Sequence, residues 1–169
     1  MLQNEALRAL GEIAEAKHKY AEAIELYKES LSIVQELHDI TNISVLYFNV
    51  GRALQLAGDN EKALIYFRDG LLQSQRLGKK AGVLRALAGL GVMAAANGEA
   101  ERAVSLLMTG QLLFGKLGLG FPPNQSAWFA SYLESARAQL SEEQFTRVVA
   151  EAQTTTLNQA MNYALGDSD

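Results

Sequence analysis

The fold of this chain is decided by the stretch YFNVGRALQLAGDNEKALIYF, residues 47–67. Its pattern recurs 40 residues earlier and 40 residues later, so that a large apolar residue precedes a glycine at Leu10-Gly11, Val50-Gly51 and Leu90-Gly91. In each copy an alanine follows twelve residues after the glycine, and a large apolar residue follows four further on, giving Ala23 and Tyr27, Ala63 and Phe67, and Ala103 and Leu107. Such a repeat predicts a stack of similar units with an extended binding surface.

The spacing of the apolar residues predicts an all-α protein. Apolar side chains recur every three or four residues, as at Leu7, Leu10 and Ala14, and no stretch alternates long enough to indicate a strand. Glycines at the joints, such as Gly58 and Gly98, are typical of helix ends. The pattern predicts first helices at about 4–16, 44–57 and 84–97, and second helices at about 21–37, 61–77 and 101–117.

The chain departs from its repeat near Pro122 and Pro123, which disfavour helical geometry in the residues before them. Further helices are nevertheless predicted by two capping boxes, which are formed by Ser141 with Gln144 and by Thr156 with Gln159. We expect these degenerate helices, within residues 123–166, to cap the apolar edge of the third repeat.

The opposite edge of the array has no comparable cap. Its apolar residues Leu2, Leu7 and Leu10 follow almost directly from Met1. This leaves upstream repeats or self-association through the uncapped N-terminal edge as alternatives.

The repeated pattern resembles the tetratricopeptide repeat (TPR), in which a large residue, Leu-Gly and a second large residue are followed by Ala-x-x-x-Phe. The resemblance implies an all-α, right-handed α-α superhelix, a TPR-like solenoid. Residues 1–169 would form a single domain, with repeats at about 4–43, 44–83 and 84–120 and degenerate capping helices at 123–166. The family's repeat is about 34 residues long, so the longer repeat of this chain predicts longer second helices.

Small residues are predicted where the paired helices cross, because helices approach closely only where side chains are small. The glycine of the first helix and the alanine of the second supply this packing signature, which comprises Gly11 and Ala23, Gly51 and Ala63, and Gly91 and Ala103. The large residues one turn after each alanine, Tyr27, Phe67 and Leu107, are expected to fill the space between repeats.

The composition excludes several classes of protein. The 169-residue chain has a net charge of -4, and its 15 Lys and Arg residues are scattered, which argues against direct nucleic-acid binding. It has no cysteine, so disulfides and thiolate metal sites are excluded. No signal peptide or membrane-spanning run is present, which predicts a cytoplasmic protein without membrane contact.

No pattern of catalytic or metal-binding residues stands out, so no enzyme activity, cofactor or metal is predicted. Gly89-x-Gly91-x-x-Ala94 has the spacing of a dinucleotide fingerprint, but it lies within a helical pattern and favours a packing role. His18 and His38 lie at predicted helix ends, without a carboxylate or histidine at ligand spacing.

The resemblance also implies a concave groove lined by the first helix of each repeat. On the matching register, the predicted partner-binding residues are Arg8, Phe48, Asn49, Arg52 and Arg85. An aromatic residue beside several cations would suit an extended protein or peptide segment with one hydrophobic anchor and acidic groups. The alternative is that these are solvated groove residues with no dedicated ligand.

Some TPR domains clamp a peptide's terminal carboxylates in this groove. Arg8, Asn49 and Arg85 fall where such a clamp has a base, an amide and a base. Glu12 and Gly89 depart from the pattern, since an amide and a base are expected there.

The tail carries a second, looser resemblance. It is similar to the closing segment of helical-repeat regions in large bacterial signalling ATPases and transcriptional regulators, through Glu101-Arg102-Ala103, Leu117-Gly118, Pro122-Pro123, residues 140–145, Thr156-Leu157 and Ala164-Leu165. This resemblance implies a non-enzymatic scaffold belonging to a larger bacterial regulator. The alternative is a ligand- or peptide-sensing domain that controls a linked ATPase or transcription factor.

Overall fold

A computed structural model describes residues 2–166, apart from the side chains of Leu2 and Thr41. The predicted role of the Leu2 side chain at the N-terminal edge therefore lies outside the described residues. The part that is described contains no strand and folds into nine helices, α1 (Leu2–Ala16), α2 (Tyr20–Glu36), α3 (Ile40–Leu56), α4 (Asn60–Arg76), α5 (Lys80–Ala96), α6 (Ala100–Lys116), α7 (Pro123–Arg137), α8 (Glu142–Thr154) and α9 (Leu157–Leu165). The predicted all-α, TPR-like fold class is confirmed.

The turns between the first helices recur every 20 residues. After α3, the backbone N–H of Asp59 donates to the carbonyl of Leu54 at 2.9 Å, which closes the helix in a Schellman motif. The residue at this position has a positive φ after each of α1 to α6, namely His18, His38, Gly58, Gly78, Gly98 and Gly118. Glycine adopts this conformation without strain, whereas His18 and His38 adopt it at a modest steric cost.

The prediction that only the second helices are longer was wrong. Helices α2 to α6 each have 17 residues, because the turn between repeats is as short as the turn within one. Helices α3 and α5 consequently begin at Ile40 and Lys80, four residues before the predicted starts at 44 and 84.

The chain forms two compact units, a first unit up to Val83 and a second unit from Leu84. In the first unit, α1 packs on α2, α2 on α3 and α3 on α4. Its largest fully buried side chains include Tyr27, Phe67 and Leu71. In the second unit, α6 packs against α7, α8 and α9.

The glycine of each predicted packing signature lies against the large residue of its own helical hairpin. A Cβ added to Gly11 would lie 2.5 Å from Cε1 of Tyr27, and one added to Gly51 would lie 2.7 Å from Cε1 of Phe67. In the second unit, a Cβ on Gly91 would lie 2.8 Å from Cγ of Leu107. The large side chains thus occupy the space that the glycines leave within a hairpin, rather than only the space between repeats. The alanines, Ala23, Ala63 and Ala103, are completely buried.

Both predicted capping boxes are confirmed at the starts of α8 and α9. These helices and α7 bring apolar side chains against α5 and α6, with a buried cluster of Ala94, Ala103, Val104, Ala136 and Val148. Arg102 of α6 also donates to the carbonyls of Tyr163 and Ala164, at 3.3 and 2.9 Å, near the end of α9. Apolar packing and these hydrogen bonds together hold the tail helices on α6.

Candidate functional site

The structure buries three of the five predicted partner-binding residues. Phe48, Asn49 and Arg52 of α3 are only 2%, 3% and 4% exposed. The ring of Phe48 lies 5.9 Å from that of Phe67, so Phe48 belongs to the hairpin core and is not the exposed aromatic anchor that we expected. The prediction placed it in the groove because helical periodicity identifies a face of α3 without showing how deeply that face is covered.

Arg52 forms a buried ion pair with Glu15 of α1. Glu15 is 8% exposed, and its Oε2 also accepts a hydrogen bond of 3.5 Å from the hydroxyl of Tyr27 on α2. The Nε of Arg52 is buried without a hydrogen-bond partner. The charge of Arg52 is therefore neutralised within the first unit, which corrects the expectation of a cation that is free to meet an acidic partner.

Burial dominates the protonation equilibria of this cluster. It raises the pKa of the Glu15 carboxyl, although the adjacent Arg52 guanidinium and the Tyr27 hydroxyl act in the opposite direction. Burial also raises the pKa of Tyr27 well above its ordinary value, and the neighbouring Glu15 carboxylate adds to this rise. The phenol of Tyr27 is thus held neutral where an exposed tyrosine would ionise.

This cluster predicts a difference in alkaline stability between the wild type and Tyr27→Phe. Because the folded-state pKa of Tyr27 is raised, its contribution to stability is present below pH 10 and is lost as the pH rises further. Above pH 10 the wild type should lose about 1.4 kcal/mol more per pH unit than Tyr27→Phe. Urea denaturation of both proteins from pH 9 to about pH 11.5 measures this, and parallel pH profiles would contradict it.

Arg8 and Arg85 are the predicted groove residues that remain partly accessible. Arg8 pairs with Glu12 one turn along α1, with 2.6 Å between Nη1 and Oε1. Arg85 lies in the second unit, where its guanidinium is 5.4 Å from the centre of the Phe114 ring and burial lowers its pKa. With Asn49 buried, the amide of the proposed carboxylate clamp is not offered at the surface. Partner binding by Arg8 and Arg85 stays a prediction.

Sequence reasoning missed the Glu15–Arg52 pair, although one signal could have indicated it. Glu15 lies four residues after Gly11, and residues at that spacing share one face of a helix. Since Gly11 was assigned to the packed face, Glu15 had to lie on or beside that face. A charged residue in this position predicts a buried partner of opposite charge.

Comparison with known families agrees with this architecture. Residues 2–71 match the family model of the tetratricopeptide repeat. These repeats are not catalytic and generally mediate protein–protein interactions. No curated protein matches the chain.

Two further searches covered the described residues alone. Among them, no group of three or more His, Cys, Asp or Glu side chains could hold a metal ion. None of the helices within residues 2–166 is both long enough and apolar enough to cross a membrane.

Proposed function

We propose that this protein is a non-enzymatic interaction scaffold that binds a protein or peptide. The match of residues 2–71 to the tetratricopeptide repeat carries the proposal, since this range covers the helical hairpins of the first unit. The Glu15–Arg52 pair supports it, because an ion pair between the first helices of two successive hairpins would hold their outer surfaces in register. Nucleic acid and membrane are not proposed as partners.

We place the partner contact of the first unit on α1, at Arg8. Glu5 and Glu12 lie exposed on the same side of the helix, so this surface has an alternating charge pattern. Arg85 is the corresponding contact in the second unit. Phe48, Asn49 and Arg52 are proposed to support the binding surface from beneath rather than to touch the partner, because less than a tenth of each is exposed.

A peptide-display screen followed by charge reversal tests this proposal. Peptides selected on the wild type should bind Arg8→Glu at least about tenfold more weakly, the effect of losing roughly 1.4 kcal/mol at an interface. Arg68→Glu is the matched control, since Arg68 is exposed on the second helix α4. Equal affinities in both variants, or no selectable peptide, would contradict the proposal.

We further propose that residues 1–169 act as one domain of a larger bacterial regulator in the cytoplasm, on the basis of the resemblance of the tail. Self-association through α1 is an additional proposal, supported by the exposure of Leu10 and Ile13, each 51% accessible. The alternative function, a sensing domain for a small ligand, is favoured by a polar groove in the second unit.

A further inference from the structure

The second unit contains an open groove between α6, α8 and α9 with a volume of about 460 Å³. Its apolar lining comes from Leu106, Val148 and Ala160, which are at most 2% exposed. The rest of the lining is mostly polar. It comprises Glu101, Ser105, Thr109, Arg147, Glu151, Thr154, Thr155, Gln159 and Tyr163. A groove of this size and mixed character suits a small ligand or a single side chain better than a helix.

A hydroxyl group in the groove lacks a partner. Thr109 is 1% exposed, and its Oγ1 has no hydrogen-bond partner in the protein. A buried hydroxyl without a partner is unfavourable, and such groups in native structures call for an explanation. A ligand that donates a hydrogen bond to Thr109 Oγ1 would supply one.

The charges that line the groove select the sign of the ligand. Arg147 Nη2 donates to Glu101 Oε1 at 2.8 Å, and Arg147 Nη1 donates to Glu151 Oε1 at 3.4 Å. Two carboxylates thus flank one guanidinium, which leaves a net charge of about -1 on these three side chains. An anionic ligand would be repelled by this surplus, whereas a cation would be attracted.

The protonation of Tyr163, at the same groove, is consistent with a negative potential. Burial raises the pKa of its phenol against the opposing effect of Arg102. The carboxylates of Glu101, Glu99 and Glu151 add to that rise.

We propose that this groove binds a primary alkylammonium group. The alkyl chain would pack on Leu106, Val148 and Ala160, and the ammonium would donate to Thr109 Oγ1 while it balances the surplus carboxylate charge. A lysine side chain of a partner and a free alkylamine both present this chemistry. The site goes beyond the proposed partner contact at Arg8, and either can fail while the other holds.

Two probes distinguish the sources of the ammonium group. N-acetyl-lysine amide represents a partner's side chain, n-butylamine a free amine and butyrate an anion of the same size. We expect ammonium binding with Kd on the order of millimolar, as for a small fragment, seen as amide shifts around Thr109 and Ala160 in NMR titrations. Tighter binding of the lysine probe assigns the site to a partner protein, and tighter binding of butylamine assigns it to a free amine.

Three variants test the chemistry. Thr109→Val keeps the shape of the side chain and removes the unpartnered hydroxyl, so it should bind the ammonium probes at least fivefold more weakly without a loss of Tm. Glu101→Gln with Glu151→Gln should weaken binding further. Glu134→Gln on α7, exposed and absent from the groove, should not change it. Absence of ammonium binding, equal binding of butyrate, or affinities unchanged in Thr109→Val and in the double variant would each overturn the proposal.

Discussion

Replacing Arg52 by methionine is expected to destabilise the first unit by about 3–5 kcal/mol at pH 7, because it leaves the Glu15 carboxylate buried without its counter-charge. The measurement is urea denaturation, with the midpoint and slope compared between variant and wild type. The loss should be smaller near pH 4. Glu15, whose pKa is raised in the folded state, is then largely protonated and needs no counter-charge.

Arg8→Met is the matched control for this prediction. It removes the same type of side chain from an Arg–Glu pair, but the pair with Glu12 is about one-third to one-half exposed. Surface pairs of this kind contribute less than about 1 kcal/mol. Replacing both members of the buried pair, Glu15→Leu with Arg52→Met, should recover much of the stability, since two apolar side chains leave no uncompensated charge. Equal losses in Arg52→Met and Arg8→Met would show that burial does not govern the pair.

The helices could be predicted from the sequence because their signals are local. Apolar spacing located all the helices of the repeats, and the capping boxes located the starts of α8 and α9. The equal helix lengths were also available locally. Gly58, Gly78, Gly98 and Gly118 are each 20 residues apart, which indicates a turn at every such step. Histidines at the first two steps obscured this spacing.

The sites could not be predicted in the same way, because they depend on contacts between helices. Periodicity showed that Phe48 and Arg52 lie on particular faces of α3, but burial depends on how closely α1 and α4 approach those faces. The groove beside Thr109 depends on the separation of α6 from α8 and α9. Neither distance is encoded by spacing along a single helix.

The close crossing at Gly51 makes the second large prediction. Gly51→Leu is expected to destabilise the first unit by about 3 kcal/mol or more, and Gly51→Ala by about 1–3 kcal/mol. An added Cβ would lie 2.7 and 2.9 Å from two carbons of the Phe67 ring, closer than a normal contact. The ring has little room to move, because Phe67 is 1% exposed and also packs against Phe48.

Gly115→Ala is the matched control for Gly51→Ala. Gly115 lies in the last turn of α6 with nothing within 4 Å of an added Cβ, so alanine should raise stability by about 0.5–1 kcal/mol through its helix propensity. Combining Gly51→Ala with Phe67→Leu should cost less than the sum of the two single changes, because the smaller leucine makes room for the methyl group. Denaturation midpoints for the four variants measure both effects. A gain in stability for Gly51→Ala similar to that for Gly115→Ala would mean that the Phe67 ring does not press on α3, and strict additivity in the double variant would lead to the same conclusion.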